Sequence, residues 1–382
     1  MAMNTTEMLE RLVGFDTTSR ESNVPLIDFV EEYLDVRGVE SQRVWSEDRR
    51  HCNLWATIGP QRTGGVVVSG HTDCVPVDDQ PWTTDPFVLT RQGDRLFGRG
   101  TSDMKSFVAS ALVAVDRWQA MDLKRPIHLA LSYDEEVGGA GARLLVADMA
   151  GAGLHPEYTI VGEPTSMQVV TAHKGIDTFV VTVTGTESHS SLAPRAVNAV
   201  EYAARFVTGL SDLARRRAEE GPFDNAFDMP HTTIHTGVIH GGTALNIVPR
   251  HCEVEFEYRY LPGEDPAELR ATVEQIASEV MDQMPDIGDV GIIIRRRAGF
   301  PSLDTPPDSP AVAAVDKLTP VEGTSKVAYG TEAGLFAEAF NAPTVVCGPG
   351  AIAVAHRPDE YVEAGQLDVC DEFMDALGRS LS

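Results

Sequence analysis

Gly65-Val-Val-Val-Ser-Gly-His71-Thr-Asp73 is the stretch that decides how this chain is read. Three β-branched residues run into a serine and a glycine, and a histidine and an aspartate two residues apart follow at once. A short apolar run bounded by glycine reads as a buried strand. Strand carboxyl ends are where open α/β sheets present their chemistry. The pattern recurs three times. Ile127-His-Leu-Ala-Leu-Ser132 runs into Tyr133-Asp134-Glu135-Glu136, Tyr158-Thr-Ile-Val161 into Gly162-Glu163, and Thr344-Val-Val-Cys347 into Gly348-Pro-Gly350, with His356 soon after. Four strand ends thus deliver imidazoles and carboxylates, the donor set that suits zinc and related divalent ions.

Helical patterns lie between these runs. Asn4 with Glu7 forms a capping box that opens a helix through about Val13. Residues 24–37 carry helical apolar spacing and stop at Gly38. Thr101 or Ser102 is placed to cap a helix over 103–119, and another is expected over 139–150. Strands alternating with helices predict an α/β fold with a mostly parallel, doubly wound sheet. The pattern changes after Lys174-Gly175: residues 177–184 alternate polar and apolar, as a half-solvated strand does. A helix over 196–217, strands over 232–239 and 253–259, a helix over 267–283 and a strand over 290–295 follow. That strand-helix-strand-strand-helix-strand order is that of an α+β open-faced sandwich, ferredoxin-like, inserted into the larger domain. The expected boundaries are 1–176 for the first part of the catalytic domain, 177–297 for the insert, and 298–382 for the remainder. In that last part, helices over 311–318 and 332–339, the Thr344 strand and a helix from Gln366 complete the domain. Residues 39–65 carry no assignable pattern, and the Pro-rich stretch 301–310 reads as a linker or surface loop.

The bulk composition narrows the function. The chain has 382 residues, 42% hydrophobic and 23% charged, which is an ordinary globular make-up. Its net charge of −26 disfavours nucleic acid and anionic membranes as partners. Cys52, Cys74, Cys252, Cys347 and Cys370 are scattered with no CxxC pair, which points to a reducing compartment rather than a disulfide framework. The first residues lack a basic, apolar leader, and no apolar run is long enough to span a bilayer, so cytoplasm is the expected location.

The strand-end residues divide into roles. His71 reads as a metal ligand, with the Asp73 carboxylate behind it to fix its tautomer. Asp103, in Gly98-Arg-Gly-Thr-Ser-Asp103, sits at a helix start and taken alone reads first as an N-cap. Asp134-Glu135-Glu136 crowds three like charges that repel unless a cation joins them. A metal on one glutamate leaves its neighbour free as a general base. Glu163 and His356 are unremarkable alone. Together, His71, Asp103, Glu136, Glu163 and His356 fit two divalent ions sharing one carboxylate, a common hydrolytic arrangement.

These residues resemble a known family: the di-zinc metallopeptidases and deacylases that include acetylornithine deacetylase, succinyl-diaminopimelate desuccinylase, carboxypeptidase G and the aminoacylases. The similarity runs nearly end to end. It rests on Ser69-Gly-His71-Thr-Asp73-Cys-Val-Pro76, Gly98-Arg-Gly-Thr-Ser-Asp103-Met-Lys105, Asp134-Glu135-Glu136, Gly162-Glu163-Pro-Thr165, Gly241-Gly-Thr-Ala-Leu-Asn246 and Ala355-His356. The resemblance implies that Asp103 bridges two ions, zinc first with cobalt or manganese as alternatives. One would take His71 and Glu163, the other Glu136 and His356. Glu135 would be the general base and Asp73 the residue that orients His71. The insert would form a homodimer, and His189 of Ser188-His189-Ser-Ser would reach the active site across it. Asn246 and Arg259 would bind substrate oxygen and carboxylate.

The branch it most resembles is acetylornithine deacetylase, through Asp79-Gln-Pro-Trp82-Thr-Thr-Asp85-Pro-Phe87, Ala172-His173-Lys174-Gly175 and Gly330-Thr331-Glu332-Ala333. There Thr331 and Glu332 would meet the substrate, the carboxylate facing a side-chain amine. Ser190-Ser-Leu-Ala-Pro194 lacks a glycine common in the family. The implied reaction is hydrolysis of a small N-acyl amino acid, N-acetyl-L-ornithine foremost, in arginine biosynthesis. Acetylcitrulline, succinyl-diaminopimelate or a dipeptide are alternative substrates, and a non-catalytic metal-binding homologue is the alternative from another class.

Overall fold

The β-branched run at Val66 forms a strand, Val66–His71, buried along its whole length. It pairs in parallel with Ile127–Ser132 on one side and Tyr158–Val161 on the other, and Thr344–Val346 adds in parallel beyond Tyr158–Val161. All four are fully buried. Strands covered on both faces have no polar side to alternate with, which is why each reads as a continuous apolar run. The four ligand-bearing runs of the sequence are therefore four adjacent strands pointing the same way. Their carboxyl ends form one edge.

The computed structural model describes residues 3–61 and 63–382. They divide into two compact units, Met1–Ala172 with Leu303–Lys326 and Thr331–Ser382, and His173–Ser302 with Val327–Gly330. In the first, helices Thr5–Val13, Lys105–Ala120 and Ala364–Ser380 pack together as one layer, and Ala140–Gly151 and Ala333–Phe340 as another. The capping box is formed: Glu7 N donates to Asn4 Oδ1 and Asn4 N to Glu7 Oε2, each at 2.9 Å.

One gap is filled and two expectations are corrected. The unassigned stretch holds an antiparallel pair, Ser41–Trp45 and Cys52–Ile58, that extends the sheet beyond Ile127–Ser132. Ser41–Trp45 lies at the sheet's end and carries Gln42 and Arg43, so its hydropathy hides it. The third long helix begins at Lys105, not at Asp103. Thr101 Oγ1 donates back to Gly98 O at 2.7 Å and Ser102 Oγ to Ala351 O at 3.1 Å, so neither hydroxyl caps it. The Pro-rich stretch is not only a linker, because Leu303–Asp304 joins the sheet beside Val169–His173.

Close packing at the strand ends requires glycine. A Cβ on Gly162 would stand 2.0 Å from the Phe107 ring, and one on Gly348 2.0 Å from Gly162 O. Gly162→Ala is expected to lower unfolding stability by about 1–3 kcal/mol, because a buried aromatic ring has to move. Urea denaturation followed by far-UV dichroism reads this directly.

The second unit has a four-stranded antiparallel sheet in the order Thr233–Gly241, His251–Tyr260, Gly175–Thr184, Gly291–Phe300. Numbered along the chain, that is second, third, first, fourth, the ferredoxin-like order. Burial alternates residue by residue along Gly175–Thr184 and His251–Tyr260. The buried side chains, among them Phe179, Val181, Val254 and Phe256, pack against helices Ala199–Glu220 and Pro266–Met281. All five cysteines are buried and free. Among the described residues no helix is long and apolar enough to cross a membrane.

Candidate metal centre

Five short turns at the sheet edge bring the predicted donors together. His71 ends its strand. Its Nδ1 lies 3.0 Å from Asp73 O and its Nε2 3.0 Å from Asp103 Oδ1. A proton on Nδ1 donated to that carbonyl leaves Nε2 as the donor atom for a metal. Glu163 Oε1 is 3.8 Å from the same Nε2. On the other side, His356 Nε2 stands 3.2 Å from Asp103 Oδ2 and 3.0 Å from Glu136 Oε2. Asp103 thus faces one imidazole with each carboxylate oxygen. Asp134 at φ 60° and His356 at φ 61° are non-glycine residues in the left-handed region, beside or among the donors. Each costs about 1–2 kcal/mol, a strain that the surrounding packing holds in place.

The electrostatics describe a site short of positive charge. Burial pushes Glu136 up to about 7, with the Asp103 charge adding to it. Burial also raises Glu163 and Glu135 well above the usual carboxylate range, helped for Glu163 by Asp103 and for Glu135 by Glu136. Hydrogen bonds to Asp103 and Glu136 raise His356 to about 10. For His71, burial disfavours charge, but Asp103, Asp73 and Glu163 outweigh it and raise the imidazole well above its ordinary value. Burial disfavours the Asp103 anion too, yet hydrogen bonds from His356 and His71 hold its carboxyl below the usual range. Glu136 Oε1 and Glu163 Oε1 are buried without a hydrogen-bond partner. Orphaned buried oxygens beside imidazole nitrogens are what a divalent cation satisfies, and the mixed nitrogen and oxygen donor set fits zinc, cobalt or manganese.

Asp73 stands behind His71 with both its carbonyl and its carboxylate. Its main-chain carbonyl, not its carboxylate, makes the shorter contact with His71 Nδ1, the nearer carboxylate oxygen being 3.5 Å away. The carboxylate accepts from Ser19 Oγ at 2.7 Å and from the backbone amides of Glu135 and Glu136 at 3.2 and 3.3 Å. It therefore fixes the turn that carries both glutamates.

Thr331 and Glu332, expected at the substrate, are both buried and hydrogen-bonded within the protein. Glu332 is wholly buried, accepting from Ser69 Oγ at 2.7 Å and Ser132 Oγ at 2.6 Å. It ties the strand of His71 to the strand that leads to Glu135. Thr331 is buried as well, its Oγ1 accepting from Ala333 N. Glu332→Ala would strip the buried Ser132 hydroxyl of its acceptor and leave Ser69 only the longer contact to Ala130 O at 3.3 Å, and it is expected to cost about 1–3 kcal/mol of unfolding stability, read in the same urea experiment.

His189, Asn246 and Arg259 belong to the second unit. The short strands Ser188–His189 and Ile247–Val248 pair, and Ser190 N donates to Asn246 O at 3.0 Å, so His189 and Asn246 are neighbours. Both are exposed. Arg259 is half-buried on its strand and pairs with Glu257 at 2.8 Å. Sequence reasoning missed Arg99 and Glu360. They form a buried ion pair at 2.6 Å beside Asp103, joining parts of the chain 261 residues apart.

Comparison with known proteins places the chain in a family. Residues 67–379 match the model of peptidase family M20/M25/M40. The chain is 36% identical over 364 residues to an acetylornithine deacetylase of Proteus mirabilis, covering 95% of this chain and 91% of that one. In fold it is similar to an M20 family metallo-carboxypeptidase from Sulfolobus solfataricus, at TM-score 0.79 and 18% identity over 99% of both chains. It is also similar to the Bacillus subtilis YXEP protein, a dinuclear metal binding peptidase, at TM-score 0.67 and 15% identity over 99% and 98% of the two chains. The chain belongs to peptidase family M20/M25/M40, a family of metal-dependent hydrolases.

Proposed function

We propose that this protein hydrolyses the amide bond of N-acyl amino acids, with N-acetyl-L-ornithine as the preferred substrate. The observation that carries the hydrolytic reading is Asp103, whose two oxygens face His71 and His356 across a group of buried glutamates. The substrate reading is supported by a relative named acetylornithine deacetylase that matches 95% of this chain.

His71, Glu163 and Asp103 would hold one divalent ion and Glu136, His356 and Asp103 a second, zinc in first place; when bound, such ions lower the pKa of water and polarise a carbonyl. Glu135 takes the proton from the attacking water and returns it to the leaving amine. Burial excludes bulk water from this carboxylate and holds its proton affinity high, which suits it to both transfers. Asp73 holds the Glu135 amide and so fixes where the base sits. Arg259 pairs with the substrate carboxylate, and Asn246 donates to a substrate oxygen. The partner subunit's His189 donates to the oxyanion in a homodimer formed through the second unit. That dimer is supported by the edge strand Thr233–Gly241, which exposes Val238 and Ile239.

A panel of N-acetylornithine, N-acetylcitrulline, N-succinyl-diaminopimelate, simple N-acetyl amino acids and dipeptides tests the reading. The highest kcat/KM is expected for N-acetylornithine. A higher value for another compound would overturn the substrate, and no turnover of any of them by metal-loaded protein would overturn the activity.

A further inference from the structure

Two charged side chains that donate nothing to the metal centre are buried directly behind it. Arg99 and Glu360 are each about 1% exposed. Arg99 Nη1 donates to Glu360 Oε2 at 2.6 Å. Removing two charges from water is costly, and an isolated buried pair adds little to stability. This pair is not isolated: Arg99 Nη2 also lies 3.5 Å from Pro76 O, and most of the pair's other contacts lead to the two turns that carry Asp103 and His356.

Glu360 Oε1 accepts from the backbone amides of Ser102 and Asp103, at 2.8 and 3.0 Å. The carboxylate thereby pins the main chain of the residue whose side chain faces both histidines. Helix capping does not position Asp103, since the helix begins two residues later. The guanidinium reaches the other turn. Arg99 Nη1 lies 3.4 Å from Arg357 O, next to His356. Arg99 Nη2 donates to Gln80 Oε1 at 2.6 Å, and Gln80 Nε2 donates to His356 O at 3.3 Å. Trp82 completes the assembly. Its Nε1 donates to the same Gln80 oxygen at 3.0 Å, and its ring lies 5.0 Å from the guanidinium carbon.

We infer that Arg99, Glu360 and Gln80 are positioning residues that set the spacing between Asp103 and His356, and so the affinity for the second of the two ions. The inference rests on the two-ion reading above. His356 needs such support, because its side chain is half exposed and its backbone stands at φ 61°. His71, by contrast, is fully buried and anchored within its own strand. Groups that hold ligands from behind are typically worth about 10- to 100-fold in metal affinity.

The test uses the full chain freed of metal by a chelator and titrated with Co2+, followed by calorimetry and by visible absorption. The parent is expected to bind two ions in resolvable steps. Glu360→Gln keeps an acceptor for the Asp103 amide but removes the charge partner of Arg99. Gln80→Leu cuts the link to the His356 carbonyl at a partly exposed position, so it folds even where the buried variant does not. Gln80→Leu is expected to weaken one step by about 10- to 100-fold and leave the other within about threefold, whereas Glu360→Gln, which loosens the carboxylate shared by both ions, is expected to weaken both. For Gln80→Leu the melting temperature of the metal-free protein should match the parent's, which separates positioning from loss of structure. Two unchanged steps in a folded Gln80→Leu protein would overturn the inference. A parent that binds fewer than two ions would overturn the two-ion reading itself, and this inference with it.

Discussion

Glu135→Gln is expected to lower kcat by about 10²- to 10⁴-fold in protein that still carries both ions, with KM little changed. The amide keeps the shape of the side chain but neither takes nor returns a proton. Glu135 is buried, and the charges of Glu136, Asp103 and Glu332 add to burial in raising its pKa, with His71 opposing. It also lies within reach of a metal, grouped with His71 and Glu163. Geometry therefore offers it two roles, ligand or base. Metal content measured on the sample used for kinetics separates them. Two ions with lost turnover assign the base, whereas loss of an ion would make Glu135 a ligand. Parent-like turnover in metal-loaded Glu135→Gln would remove it from the chemistry altogether.

The four strand ends were legible because fully buried parallel strands leave continuous apolar runs in the sequence, each closed by a glycine or a polar turn. That they are four neighbours was not written in any one of them. It follows from the crossover connections, which place Ile127–Ser132 and Tyr158–Val161 on either side of Val66–His71. The hairpin at Ser41–Trp45 was hidden because an end strand has little apolar surface to show. The surroundings of Thr331-Glu332 were hidden for another reason. A carboxylate in a polar quartet gives no sign of burial, and only the fold reveals that Ser69 and Ser132, more than 190 residues upstream, supply its hydrogen bonds. The Asp73 carboxylate and the Arg99–Glu360 pair belong to the same class. Residues that hold a site from behind act through partners distant in sequence, and no local spacing encodes them.

Removing the metal should make stability fall as pH rises, and restoring it should cancel that fall. Without a cation, burial holds Glu136 at about 7 against an ordinary 4.5, and Glu135 and Glu163 are raised well above 4.5 as well. Above about 4.5 the native state therefore keeps protons that the unfolded chain has released, so stability declines from there through about 7 and beyond. His356, raised to about 10, and His71, also raised, act in the same direction above 6.5. Asp103, lowered from 3.8, acts oppositely, but its contribution is lost only at acid pH. The melting temperature of chelator-treated protein should thus drop between pH 5 and pH 8. Metal binding needs these donors deprotonated, so affinity rises over the same range. At a thousandfold excess over Kd each ion adds about 4 kcal/mol, which for two ions is a shift of about 10 °C or more. The gap between metal-loaded and chelator-treated melting temperatures should therefore widen from pH 5 to pH 8. Scanning calorimetry at fixed free metal measures it. A gap that narrows over that range would mean that the raised carboxylates are not the groups a metal displaces protons from.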